Sequence, residues 1–238
     1  MISIKEAKLI ILEHTRELPV HPIPLAMALG STLSSEVTGG MLAVKKGSKL
    51  TPDAISLLEG IGHKQVEVYR SPAVGIIVTG TAFNSYFITA GLKQAKIDKI
   101  NFYNADANIE ALKLVMEEAL KINDVVVITC GLSSGCYDFV LNAANLAGVE
   151  QVFHRISKQP GRPLYFGKKE KQLVFGLPGN PSSVLGCFYQ YVLPAIEKLN
   201  NCKPGMDCSK NVSSARSSQE KVSQNFRVRK IAVSEEIN

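Results

Sequence analysis

The sequence predicts an α/β fold, three layers deep, in which a largely parallel sheet carries helices on both faces and is preceded by a helical N-terminal segment. Three observations point there. From Ala73 onward, short apolar runs alternate with stretches of helical period, the pattern of strands joined through crossover helices. Val74 to Val78 and Val125 to Thr129 are near-continuous apolar runs, as strands covered on both faces must be. Glycine- and serine-rich turns follow several of those runs, where an open parallel sheet gathers ligands.

In chain order, Ser3 and Glu6 form a capping box for a helix over residues 3–15, with Ile4, Ala7, Ile10, Ile11 and His14 at helical spacing. Pro19, Pro22 and Pro24 then lead to a short helical stretch around Leu25 to Leu29. Thr38-Gly39-Gly40 reads as a break, and Val44 to Leu50 as a turn-rich connector. Thr51 is placed to cap a helix with Pro52 at its first position, ending near Gly60. Val66 to Tyr69 alternates like a strand.

The sheet region begins at Val74. Helices are expected over Tyr86 to Ala95, Ala107 to Lys121 and Phe139 to Ala147, and strands over Val74 to Val78, Ile100 to Tyr103, Val125 to Thr129 and Gln151 to Ile156. Leu164 to Phe166 and Leu173 to Phe175 suggest an antiparallel pair turning at Lys168-Lys169-Glu170. A last helix starts at Pro181 with Asn180 as its cap, carries Val184, Phe188, Val192 and Ile196 in one stripe, and is expected to kink at Pro194. Beyond Lys198 the composition turns polar, with one plausible strand at Phe226 to Val233 and too little apolar surface for a separate core. The expected organisation is a segment 1–70, an α/β domain 71–200, and a loosely ordered remainder 201–238.

Composition bounds the function classes. The chain has 238 residues, 45% of them hydrophobic, and a formal net charge of +6, which suits a globular core and excludes wholesale disorder. No apolar run reaches the roughly 18 residues of a membrane span, and Lys5, Glu6 and Lys8 interrupt the start, so neither anchor nor signal peptide is expected. Five cysteines without C-x-x-C spacing and four dispersed histidines argue against zinc or a disulfide framework, and favour a reducing, cytoplasmic setting. No Walker loop, Ser/His/Asp triad or redox pair is visible.

Four turns fall where strands should feed into helices: Thr79-Gly80-Thr81, Asn104-Ala105-Asp106, Cys130-Gly131-Leu132-Ser133-Ser134-Gly135, and Gly176-Leu177-Pro178-Gly179-Asn180-Pro181-Ser182-Ser183. Small residues let backbone approach a phosphate, and the hydroxyls of Thr79, Ser133, Ser134, Ser182 and Ser183 are possible donors; the alternative for any one turn is that glycine and serine only make the turn. Lys158 and Arg162 flank the rigid Gln159-Pro160-Gly161, which would aim a guanidinium at an oxyanion. Asp106 and Asp138 each enter a helix after a strand, as N-caps or, together, as Mg²⁺ ligands beside substrate phosphates. Between Arg155 and Lys171, six basic residues face one acidic residue, Glu170, which suits a phosphorylated ligand, an acidic partner or a solvated face. A nucleic-acid module resting on this run and the tail is the weakest reading, because no aromatic stacking platform accompanies it.

Gly176-Leu177-Pro178-Gly179-Asn180-Pro181 with Ser182-Ser183, preceded by Gln159-Pro160-Gly161-Arg162-Pro163-Leu164-Tyr165-Phe166-Gly167, resembles the molybdopterin molybdenumtransferase family, which includes MoeA and the E domain of gephyrin. The likeness extends through Val125 to Asp138, Val74 to Gly80, Lys46 to Thr51 and the opening helix, roughly residues 1–200. It implies a molybdenum-cofactor-binding α/β domain, a shortened dimerisation region before it, and a remnant of a C-terminal β-domain after it. The implied activity inserts molybdate into adenylylated molybdopterin with Mg²⁺, releasing AMP, in a homodimer. Carried onto this sequence, the resemblance singles out Asp138, Arg162, Asn84, Pro178 and Pro181; taken with the turns read above, Asp138 and Arg162 are expected to be catalytic and Asp106 and Asp138 to hold the metal. Thr79, Gly80, Asn84, Gly131, Ser133, Ser134, Gly135, Lys158, Gly161, Pro178, Gly179, Asn180, Pro181 and Ser182 become substrate-binding.

The sequence also departs from the family pattern. The family's threonine-glycine-acidic-glutamate motif reads Thr79-Gly80-Thr81-Ala82, the serine-glycine loop is one residue shorter, and Gln159 stands where the first lysine of a K-P-G-K turn is usual. The segment carrying D-N-S-A-M-D-G-Y is absent, and Thr38-Gly39-Gly40 bridges its place. Two readings stay open: an insertion enzyme, or a relative that binds a pterin phosphate or acts as a scaffold without turnover.

Overall fold

A computed structural model of the protein describes residues 2–39, 42–79, 83–129, 136–157, 163–202 and 212–214. The chain runs through α1 (Ile4–His14), β1 (Val20–Pro24), β2 (Val37–Gly39), β3 (Leu42–Val44), α2 (Pro52–Gly60), β4 (Gln65–Tyr69) and β5 (Val74–Thr79). It continues as α3 (Phe83–Gln94), β6 (Ile100–Ala105), α4 (Ile109–Ile122), β7 (Val125–Thr129), α5 (Cys136–Leu146), β8 (Glu150–Phe153) and β9 (Tyr165–Lys169). The last elements are β10 (Gln172–Leu177), α6 (Pro181–Cys187), α7 (Leu193–Leu199) and β11 (Val212–Ser214).

Six strands form the main sheet in the order β6-β5-β7-β10-β9-β8. The first four are mutually parallel, and the β9–β10 hairpin and β8 finish the sheet antiparallel. Every residue of β5 and β7 is buried, because helices cover both faces. Alternation divides the strands between two cores. Ile76, Val127 and Phe175 face the helices α1, α3, α6 and α7, whereas Ile77, Val126, Ile128 and Val174 face α4 and α5. The predicted three-layer α/β architecture is therefore present.

Local chemistry explains the helix starts. The Ser3 hydroxyl accepts the Glu6 N–H and the Glu6 carboxylate accepts the Ser3 N–H, completing the expected capping box. Thr51 caps α2 with Pro52 at its first position, as expected. The cap of α4 is Asn108, whose side chain accepts the Ala111 N–H at 2.8 Å; the N-cap alternative for Asp106 is thereby corrected. Asp138 is likewise not a cap but lies within the first turn of α5. At the foot of the sheet, Asp124 accepts both terminal nitrogens of Arg70, at 2.5 and 3.0 Å, and the Ala73 N–H at 2.8 Å, which locks the entries of β5 and β7 together.

The expected kink at Pro194 takes another form. Phe188 to Val192 widens into a π-helical turn between α6 and α7, with the Leu193 N–H bonded to the Phe188 carbonyl five residues back. A proline lacks the donor for an α-helical bond and clashes with the carbonyl four residues earlier, and the wider turn relieves both. Four helices also end alike. In α2, α3, α5 and α7 the paired closing bonds place one residue in the left-handed region: Gly62, Lys96, Gly148 and Asn201.

The region before β5 holds more than helix and connector. Residues Val20–Pro24 pair antiparallel with β4, and β2, β3 and β11 form a second small sheet, so the expected break at Thr38-Gly39 is a strand end. Pro22 and Pro24 are tolerated because a two-stranded ribbon has only edges. Leu33, Leu50, Leu58, Val66 and Val68 make a small core of this lobe. β8 stops at Phe153 rather than Ile156, which instead bridges to Ile2. The strand expected at Phe226 to Val233 lies outside the described residues.

Burial has a pH signature. It pushes the Cys187 thiol and the Tyr191 hydroxyl each up to about 12. In the unfolded chain they ionise near their ordinary values, about 8.5 and 10. The folded state thus binds the protons more tightly, and its stability is level below about pH 8.5 and falls between about 8.5 and 12. Urea midpoints recorded from pH 7 to 11 are expected to drop on the alkaline side, and less steeply in Tyr191→Phe.

Candidate functional site

The four parallel strands finish in register. Leu177 of β10 lies opposite Thr129 of β7, Thr129 opposite Val78 of β5, and Thr79 opposite Ala105 of β6. The turns that leave these strands therefore start from one rim, at the carboxyl ends, where helices that follow present their N-termini. The Thr79 hydroxyl, which is buried, donates to the Thr129 carbonyl at 3.3 Å and pins two strand ends together. It serves the rim by shaping it.

The turn after β10 is the best defined. Pro178 is buried, Gly179 half-buried, and Asn180 exposed at the cap of α6. The Asn180 carboxamide oxygen accepts the Ser182 N–H at 3.0 Å and the Ser182 hydroxyl at 2.7 Å, while Pro181, with no N–H, takes the first helical position. These bonds fix the L-P-G-N-P turn from within.

Asn84, in the first turn of α3, crosses to that turn. Its side-chain nitrogen donates to the Gly179 carbonyl at 3.1 Å, joining segments 95 residues apart. The residue is 5% exposed, and its carboxamide oxygen has no hydrogen-bond partner. A buried acceptor left unpaired is costly, so this oxygen is suited to an incoming donor.

Asp106 follows β6 and Asp138 lies in α5 after β7, both exposed and on the same side of the sheet. One strand, β5, separates the strands they follow. Among the described residues no group of three or more His, Cys, Asp or Glu side chains is arranged to hold a metal. Each of the two aspartates is a carboxylate of the kind Mg²⁺ takes, an ion that commonly uses one or two protein carboxylates and fills its other positions with phosphate and water.

Gly80, Gly131, Ser133, Ser134, Gly135, Lys158, Gly161 and Arg162 lie outside the described residues. β7 ends at Thr129 on the rim, and Tyr165 of β9 lies opposite Gly176, one residue from the end of β10. The basic run between Arg155 and Lys171 is not one face. The lysines that end β9 sit at the far end of the sheet, where Lys168 pairs with Glu150 at 3.3 Å and Lys169 donates to the Ala147 carbonyl at 2.7 Å. A single nucleic-acid stripe is therefore not formed by the described part of this run. The rim is also distinct from the molecule's large cleft, about 1450 Å³, at the opposite edge of the sheet.

Spacing did not single out the Asn84–Gly179 bond, since it joins residues far apart in sequence. The signal that was available is the short Asn-Ser step opening the helix after β5.

Comparison with known proteins agrees with this fold. The family described as a probable molybdopterin binding domain matches residues 77–198. A molybdopterin molybdenumtransferase of Haemophilus influenzae is 32% identical over 187 residues, which are 72% of this chain and 46% of that protein. The Bacillus subtilis molybdopterin molybdenumtransferase is 27% identical over 198 residues, 76% of this chain and 46% of the relative. The chain thus spans about half the length of the curated relatives it matches. Among solved structures, a molybdenum cofactor biosynthesis protein from Pyrococcus furiosus superposes with a TM-score of 0.68 at 27% identity, covering 86% of this chain and 74% of that one. A molybdopterin biosynthesis moeA protein from Pyrococcus horikoshii gives 0.72 at 17% identity, covering 85% of this chain and 81% of that one, a likeness of fold. No described helix is long and apolar enough to cross a membrane.

Proposed function

The chain belongs to the molybdopterin-binding family of the molybdenumtransferases, and from that premise we propose that its rim binds adenylylated molybdopterin and supports insertion of molybdenum with release of AMP. The observation that carries the proposal is the in-register finish of β6, β5, β7 and β10, tied across by Asn84 and Gly179. Turns distant in sequence then converge on one ligand of pterin size, with phosphates near helix N-termini.

The roles divide by chemistry. Pro178, Gly179, Asn180, Pro181 and Ser182 form a preformed wall, because the Asn180 cap holds their backbone before the ligand arrives. Asn84 contributes its unpaired oxygen to a ligand N–H. Thr79, Gly80, Gly131, Ser133, Ser134 and Gly135 are assigned to binding the pterin nucleotide. Lys158, Gly161 and Arg162 act on phosphate oxygens, and the planar guanidinium suits an oxyanion held in two bonds. Mg²⁺ would be held by Asp138 with Asp106 and would neutralise charge on the phosphates. Molybdate and the pterin nucleotide are substrates, and the protein acts as a homodimer.

The test is molybdate-dependent AMP release from adenylylated molybdopterin by the purified chain, with pterin binding followed in parallel by fluorescence. AMP release supports the insertion reaction. Binding without release selects the scaffold reading, favoured by Thr81-Ala82 in place of the acidic pair; absence of binding overturns both. Asn84→Leu, similar in volume but unable to donate to Gly179, is expected to weaken pterin binding about tenfold.

A further inference from the structure

The large cleft lies between the N-terminal lobe and the helices α3 and α7, beside Ser71 and Lys99, which lead into β5 and β6. That edge is about 20 Å from the rim, the length of a six-residue strand. Two side chains lining the cleft, Thr32 and Asn200, are more than nine-tenths buried, and Thr32 Oγ1 and Asn200 Oδ1 have no hydrogen-bond partner. Buried polar atoms are almost always paired, so two orphans on one hollow mark groups that a ligand would complete.

Lys96 is the second, independent observation. Of the four helices that close with the same cap, three put Gly62, Gly148 or Asn201 in the left-handed position, residues that tolerate it. The fourth puts Lys96 there, at φ 62°. Lysine has no short polar side chain to offset the strain with a local hydrogen bond, as asparagine can. The Lys96 side chain runs along the cleft wall: its Cβ and Cγ come within 4.0 Å of where a Cβ on Gly30 would stand. Lys99 follows three residues later on the same wall, and Lys49 reaches the Ala95 carbonyl nearby. Asp98 and Glu197 are the acidic side chains on the cleft, and its Arg70 is already held by Asp124. The half-exposed ring of Tyr189 supplies a flat apolar wall.

We propose that this cleft is a second ligand site that takes a nucleotide-like phosphate ester. Lys96 and Lys99 hold the phosphate, the heterocycle lies against Tyr189, and its N–H and acceptor atoms complete Asn200 and Thr32. The site is separate from the rim and does not depend on the function assigned there.

Calorimetric titration of the purified full chain with AMP, GMP, CMP, UMP and inorganic phosphate tests it. At least one mononucleotide is expected to bind about tenfold or more tightly than phosphate. Thr32→Val and Asn200→Leu each weaken that binding about tenfold. Lys96→Gly weakens it while raising the thermal midpoint, because glycine relieves the left-handed position; a merely structural lysine would give the stabilisation alone. AMP is also the product proposed for the rim, and Asn180→Ala separates the two sites: cleft binding survives it. No binding at millimolar ligand, phosphate binding as tightly as every nucleotide, or affinity lost in Asn180→Ala but kept in Thr32→Val and Lys96→Gly each overturn the proposal.

Discussion

Asp138→Ala is expected to lower molybdate-dependent AMP release by about 10²-fold or more, the usual size of a lost metal-positioning or charge-stabilising group. The residue is exposed in the first turn of α5 and is neither a helix cap nor part of a described ion pair. Its removal therefore leaves the core untouched, and the thermal midpoint is expected to stay within a degree or two of the parent, about what a surface substitution costs. Asp138→Asn separates charge from volume: it keeps the shape, loses the anion, and is expected to fall as far as alanine. Unchanged AMP release in both variants, with intact pterin binding, would remove Asp138 from the reaction.

The largest stability effect is expected at Phe188→Ala. Phe188, the first residue of the π-helical turn, is fully buried against α3 and stands edge-on to Tyr189 at 5.2 Å between ring centres. Emptying such a site costs about 3–5 kcal/mol, a transfer loss plus a cavity. For a chain of this size that lowers the thermal midpoint by roughly 10 °C. Gly91 supplies the control. A Cβ there would stand 2.5 Å from Phe188 Cε1, so Gly91→Ala is expected to destabilise by about 1–3 kcal/mol despite the better helix propensity of alanine. Urea unfolding of both variants measures this, and a stabilised Gly91→Ala would show that the contact is looser than its geometry.

The elements that local chemistry defines were legible in the sequence. The Ser3/Glu6 capping box, the Thr51-Pro52 start and the Asn180-Pro181 start all occur where their residues predict. So do β5 and β7, whose apolar runs leave no exposed face. What escaped is set by distant partners. β1 carries two prolines and forms only because β4, some forty residues later, pairs with it. The small sheet needs β11 from beyond the last helix to complete it. The π-helical turn answers Pro194 in a way that spacing alone does not distinguish from a kink.

The same division holds for the site. That four turns leave one edge follows from the rule for parallel sheets, and the register of Leu177, Thr129, Val78 and Thr79 shows it. The Asn84 link to Gly179 and the internal use of the Thr79 hydroxyl depend on side-chain directions that the sequence does not encode locally.

Backbone hydrogen exchange with and without molybdopterin tests the convergence of these turns most directly. Binding at the rim predicts added protection together in the segments that follow β5, β6, β7 and β10, with the opposite edge of the sheet unchanged. Protection confined to the edge that carries Ser71 and Lys99, or to one turn alone, would contradict it.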